Sequence, residues 1–197
     1  MMDKVIENAR EYAKSIFASD SSGHDFAHTL RVCSMAERIA LAEGAEVGVV
    51  KLAALLHDVD DHKLSPDTAD TQSRAAAFLG HQEVDPDTTE KVLRIISQVS
   101  FSRNTLPPDS LEGKCVQDAD RLDALGAIGI ARTFAFGGAH GRAIYAPGDA
   151  TSSIAHFYDK LLLLKDRMNT HAGKALALQR HQFLENFLAT FLEEWNG

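Results

Sequence analysis

Apolar residues return every three or four positions along almost the whole chain, and strict alternation is scarce. That period is helical. Val5, Ile6, Ala9, Tyr12, Ala13, Ile16 and Phe17 define a first amphipathic helix that ends in the turn-rich SDSSG. Asp25 is placed to cap a second helix, with His28, Val32, Met35, Ala36 and Ile39 on its inner face and Gly44 at its end. A third runs from about Val47 into KLAALLHD, and the polar stretch DDHKLSPD follows it. A fourth is expected over roughly Thr68 to Leu79. Asp85 and Pro86 supply the cap and first-turn proline of a fifth, which continues through TEKVLRIISQV.

Pro107 and Pro108 then interrupt the pattern. One long helix is predicted to contain CVQDADRLDALGAIGIARTFAF. The glycine-dense GGAHGRAIYAPGD, residues 137–149, is predicted to be a loop. Two helices remain, around SSIAHFYDKLLLLKDRM and ALALQRHQFLENFLATFLEEW. The fold class is therefore all-α. Neither an internal repeat nor a low-complexity run divides the chain, so one domain over 1–197 is expected.

Composition narrows the class of protein. The chain has 197 residues, enough to bury a sizeable core, with 45% hydrophobic and 24% charged positions. The formal net charge is −8, which argues against duplex nucleic acid as a partner but leaves room for a local basic pocket that takes a small anion. Cys33 and Cys115 lie in apolar surroundings outside any CxxC pair, and two buried thiols suit a reducing compartment. The opening MMDKVIENAREYAKSIF is charged throughout, unlike a secretory leader, and no apolar run is long enough for a bilayer. A soluble, cytoplasmic protein is expected.

The chemistry concentrates in three places. ALLHDVDD, residues 54–61, ends an apolar run by setting His57 beside Asp58, Asp60 and Asp61. Carboxylates that close repel one another and are costly to desolvate. Either the stretch is a solvated helix end or a cation balances it. The second place is GHDFAHTLRV, where His28 can share a helix face with His24 or Asp25. The third is QDADRLDALGAIG, where Asp120 and Asp123 share one side of a helix and Asp118 points elsewhere.

The order H…HD…D, spread over separate helices and followed by ADRLD, resembles the HD-domain metal-dependent phosphohydrolase superfamily. The strings VQDADRLDALGAIGIARTFAFGG and HFYDKLLLLKDRMNT resemble its small bacterial nucleotide-hydrolysing members. The resemblance covers most of the chain. It implies a single-domain helical bundle of the HD type, with the metal site within about 20–135 and the helices of 150–195 packed on that core. It makes His28, His57, Asp58 and Asp120 the metal ligands. Asp61 becomes the acidic residue that works on the water, with Asp60 as the neighbour competing for that role. Asp123 would stand behind the ligands, or replace Asp120 if the helix phase differs.

A mixed imidazole and carboxylate set suits a transition-metal ion better than Ca²⁺. Mn²⁺ is favoured, with Mg²⁺, Fe²⁺, Co²⁺, Ni²⁺ and Zn²⁺ as the other candidates. Four protein ligands leave room on an octahedral ion for water and a phosphate oxygen, and the ion acidifies the one and polarises the other. The implied activity is hydrolysis of a nucleotide by attack of that water on phosphorus. The substrate is a nucleoside or deoxynucleoside triphosphate losing pyrophosphate, or a monoester losing phosphate. A phosphodiesterase of cyclic nucleotides or dinucleotides is an alternative, although HD relatives of that type often carry further ligands and a sensor domain. A nucleotide-binding signalling module with a structural metal is another.

Cations for the substrate are sought among Arg31, Lys63, Arg142 and Lys160, and His24 is a further substrate-binding candidate. Each of these cations could equally be a solvated surface charge. His156 either faces the pocket or packs. His62, His81, His140, His171 and His181 are read as exposed. The loop at 137–149 is a lid or a plain connection. The stripe Phe183, Phe187, Phe191 and Trp195 is core packing or the face of a homodimer.

Overall fold

The computed structural model describes residues 2–17, 26–60, 71–99 and 106–197. The described residues are helical, without a strand. The elements are α1 (Met2–Phe17), α2 (Phe26–Glu43), α3 (Val47–Leu56), α4 (Ser73–His81), α5 (Pro86–Val99) and α6 (Leu111–Asp123). After them come α7 (Gly126–Ala139), α8 (Ser153–Asp159), a 3-10 helix (Leu161–Arg167) and α9 (His171–Asn196). The all-α expectation holds. The chain forms two compact units, Met1–Ala119 and Asp120–Gly197, and the division falls inside α6.

The first unit is organised around α3. Its sequence VGVVKLAALL is apolar at every position but Lys51, which suits a helix enclosed by others. Val49, Val50 and Leu52–Leu56 are all buried, and α3 packs against α1, α2 and α5. Two of the expected end signals are in place, while the Asp25 cap lies outside the described residues. Gly44 ends α2 with φ +77°, and Asp85 Oδ1 accepts the Thr88 N–H at 2.9 Å to cap α5. That bond holds the Asp85 carboxyl below its ordinary pKa range. Burial pushes the Cys33 thiol up to about 11 and the Cys115 thiol up to about 12, so both are neutral, buried core residues.

The second unit packs α7 against α8 and α9, and the 3-10 helix against α8 and α9. Phe157, Ile154, Leu161, Leu164, Leu184 and Leu188 fill its core. Phe134, Phe187, Phe191 and Trp195 stack in series along α7 and α9 with centroid spacings of 5.7 to 6.4 Å. Three members of the predicted aromatic stripe therefore pack together. Phe183 is half exposed and takes no part.

Several boundaries differ from the sequence expectation, and α4 starts at Ser73 rather than near Thr68. The long helix through ADRLDALGAIG is two helices, α6 and α7, because Gly126 adopts φ +71° and turns the chain. The helix expected around SSIAHFYDKLLLLKDRM breaks at Lys160, where φ −136° and ψ −58° separate α8 from the 3-10 helix. Gly137, Gly138 and Ala139 belong to α7 rather than to a loop. Gly137 is required there by packing, since a Cβ would lie 2.2 Å from the buried Ser153 hydroxyl.

Candidate metal centre

His28 sits in the first turn of α2, and His57 is the C-cap of α3. The two helices pack together, which sets the imidazoles 5.7 Å apart in an edge-on arrangement. Both side chains are almost entirely buried. The His57 Nδ1 lies 2.8 Å from the Ala54 carbonyl oxygen. A carbonyl only accepts, so Nδ1 carries the proton and Nε2 presents its lone pair. Asp58, the next residue, brings Oδ2 to 3.1 Å from His57 Nε2 and 3.6 Å from His28 Nε2. Two imidazole nitrogens thus converge on one carboxylate oxygen.

Asp120 follows Ala119 in the continuous helix α6. One donor atom each from His28, His57 and Asp120 lies within 4.8 Å of the other two. Two imidazole nitrogens and one carboxylate make up this group, a composition that suits a divalent transition-metal ion. The bond from His57 Nδ1 to a backbone carbonyl is the arrangement that orients a metal-ligating histidine. The residues present fit such an ion.

The predicted general acid–base residue, Asp61, and the candidates His24 and Lys63 lie outside the described residues. Asp60 is described and has a different task. It is buried, and its two carboxylate oxygens accept the Arg74 N–H at 3.2 Å and the Ala75 N–H at 2.9 Å. Asp60 therefore caps α4 by satisfying N–H groups that the helix itself leaves without partners. Nothing in the sequence between them signals this, because the capped helix begins thirteen positions later, at Ser73. Asp60→Ala should lower stability by about 1–3 kcal/mol, the usual cost of stranding buried donors, while metal binding persists. Thermal melting and elemental analysis of the same preparation test both halves.

Asp123 is buried, and its carboxylate pairs with Arg132 of α7 at 2.6 Å. Arg132 was missed in the sequence because a helix break separates the two. Asp118 is fully buried on α6. Arg31 is partly exposed on α2, Arg142 is exposed, and Lys160 is partly exposed at the end of α8. His81, His140 and His171 are exposed as expected. His62 lies outside the described residues. His181 departs from the expectation: it is buried in α9 with Nε2 3.2 Å from Glu185, because its helix face turns toward the core.

The chain is all-helical among its described residues and gathers two histidines and a carboxylate that could hold a metal ion. The sequence agrees: residues 25–125 match the HD domain family, and the chain belongs to it. It is 46% identical to the Bacillus subtilis protein YpgQ, over 94% of this chain and 91% of that one. The crystal structure of B. subtilis YpgQ in complex with ADP superposes with a TM-score of 0.83 at 40% identity, covering 96% of this chain and 97% of that one. An HD-superfamily hydrolase from Bacillus thuringiensis gives a TM-score of 0.86 at 43% identity and full coverage of both chains. No described helix is long and apolar enough to cross a membrane.

Proposed function

We propose that the protein is a metal-dependent phosphohydrolase acting on a nucleotide, with a nucleoside or deoxynucleoside triphosphate as the favoured substrate. The observation that carries this reading is the convergence of His28 Nε2, His57 Nε2 and Asp58 Oδ2. The hydrolase relative from B. thuringiensis and the YpgQ complex with ADP support the reaction class and the ligand class. His28, His57, Asp58 and Asp120 would hold the ion, with Mn²⁺ favoured. When bound, the ion would acidify a water and polarise a phosphoryl oxygen.

The chain's own residues do the rest. The His57 proton on Nδ1 stays with the Ala54 carbonyl, so this histidine is a fixed ligand and not a proton carrier. Asp60 is committed to the cap of α4. Of the two acidic residues that close HDVDD, Asp61 is therefore the one assigned to orient the attacking water and take its proton.

Elemental analysis of the purified protein, followed by a nucleotide panel with the metal found and with Mn²⁺, tests the reading. Cleavage that stops on chelation and returns with metal is the expected result. Activity that survives exhaustive metal removal would count against it. Asp61→Asn should retain the ion and lose about 10²–10⁴-fold in rate, the range for a general base. If neither protein turns over any nucleotide while both bind ADP, the centre serves a binding module instead.

A further inference from the structure

One side chain of the first unit joins two helices in a way that capping does not explain. Gln72 is the N-cap of α4, and it stands in the left-handed region at φ +51° and ψ +32°. A residue with a Cβ is uncommon there. Its side chain does not cap the helix. The amide turns to α5 instead, where its nitrogen donates to the Leu93 carbonyl at 3.2 Å and its oxygen accepts the Ser97 N–H at 3.0 Å. These are the carbonyl and the N–H, four residues apart, that an α-helix pairs with each other. One amide thus matches both groups of a single turn, donor to acceptor and acceptor to donor.

The cap that Gln72 does not supply comes from Asp60, whose carboxylate accepts the Arg74 and Ala75 N–H groups. Asp60 closes the turn that begins at His57, the C-cap of α3. α3 in turn packs against α5. The contacts therefore run in a closed circuit: α3, the turn from His57 to Asp60, the start of α4, the Gln72 amide, α5 and back to α3. The far end of α4 is held separately by α1. There Asn8 Nδ2 donates to Gln82 Oε1 at 2.6 Å, and the Tyr12 ring stacks on Phe78 with centroids 4.9 Å apart. α4 also packs on α5. It consequently stays docked without the Gln72 amide, and only its first turn is left to shift. A strained backbone that its surroundings hold in place is a mark of positions where geometry serves function.

We propose that Gln72 is a positioning residue for the hydrolysis. By tying the first turn of α4 to α5 it fixes Asp60 relative to His57, and Asp61 is joined to Asp60 by the next peptide bond. A general base acts only within hydrogen-bond reach of the proton it takes. A misplacement of about 1 Å costs up to about 10²-fold in rate. This role rests on the proposed assignment of Asp61 as that base.

Two variants remove the tie in different ways. Gln72→Met keeps the length of the side chain and loses both hydrogen bonds. Gln72→Asn keeps the amide and suits the left-handed backbone better, but it is one methylene too short. In metal-free, full-length protein followed by hydrogen exchange, both should speed exchange at the Arg74 and Ala75 amides about tenfold. The Gln82 amide, which donates to the Phe78 carbonyl, should stay as protected as before. In metal-loaded protein both should lower kcat by about 10- to 10²-fold, with KM within about twofold of the wild type. In an Asp61→Asn background the same substitutions should have no further effect on kcat, because the tie acts through Asp61. Unchanged exchange at Arg74 and Ala75 would overturn the tie. Losses that add in full to that of Asp61→Asn would overturn the positioning role. If Asp61→Asn turns over nucleotide as fast as the wild type, the assignment of Asp61 is overturned and the positioning role with it, and the exchange data show separately whether the tie exists.

Discussion

Asp58→Ala is expected to empty the His28–His57 centre of metal and to lower nucleotide hydrolysis by at least about 100-fold. That bound is the upper end of what losing a supporting residue of a metal site costs, and Asp58 is proposed as a ligand itself. Its Oδ2 is the atom on which both Nε2 atoms converge, at 3.1 and 3.6 Å. Without it the two imidazoles keep their positions but lose the negative charge that balances a dication. The effect extends to stability. An ion that binds the folded chain alone stabilises it by about 2.7 kcal/mol at a hundredfold excess over Kd. Wild-type protein should therefore melt higher with Mn²⁺ than without it, and the Asp58→Ala curve should be indifferent to Mn²⁺. Equal metal content in the two proteins would remove Asp58 from the ligand set.

The candidate centre stood out in the sequence because the chemistry of its residues is local. A histidine and an aspartate that interrupt an apolar helix such as KLAALL require compensation wherever the chain goes. The second histidine on an apolar helix face, and ADRLD beyond it, supply the rest. The helical period fixed the faces, and the caps at Asp85 and Gly44 fixed their ends. What the sequence hid depends on contacts between distant segments. Asp60 and Asp61 are chemically identical, and only the backbone N–H groups of Arg74 and Ala75 show that Asp60 is engaged. Gly137 and Gly138 imply a loop by composition. Yet Gly137 is selected by the Ser153 hydroxyl, so it marks tight helix packing instead. Ala143 and Ser153 are ten positions apart, and the backbone bond that joins them leaves no trace in residue type.

The turn between α6 and α7 carries the second large effect. Gly129→Ala is expected to lower Tm by several degrees, about 3–8 °C, although alanine is the better helix former by about 1 kcal/mol. A Cβ at Gly129 would lie 2.2 Å from the Ala124 carbonyl oxygen and 2.4 Å from its carbon. The obstacle is backbone, which cannot rotate away as a side chain would. The turn is also tied down. Ala124 N–H donates to the Arg121 carbonyl at 3.1 Å, Leu125 N–H donates to the Leu122 carbonyl at 3.0 Å, and the Arg180 guanidinium donates to that same Leu122 carbonyl. Gly126 at φ +71° has the Arg180 stem 3.2 Å from where its Cβ would be. Overpacking at such a place costs about 1–3 kcal/mol and outweighs the gain in helix propensity. Gly138, in the same helix, has open space where its Cβ would stand. There the propensity term acts alone, so Gly138→Ala should raise Tm slightly. Thermal melts of the two variants side by side separate packing from propensity, and a Gly129→Ala protein that melts at or above the wild type would show that the α6–α7 turn yields.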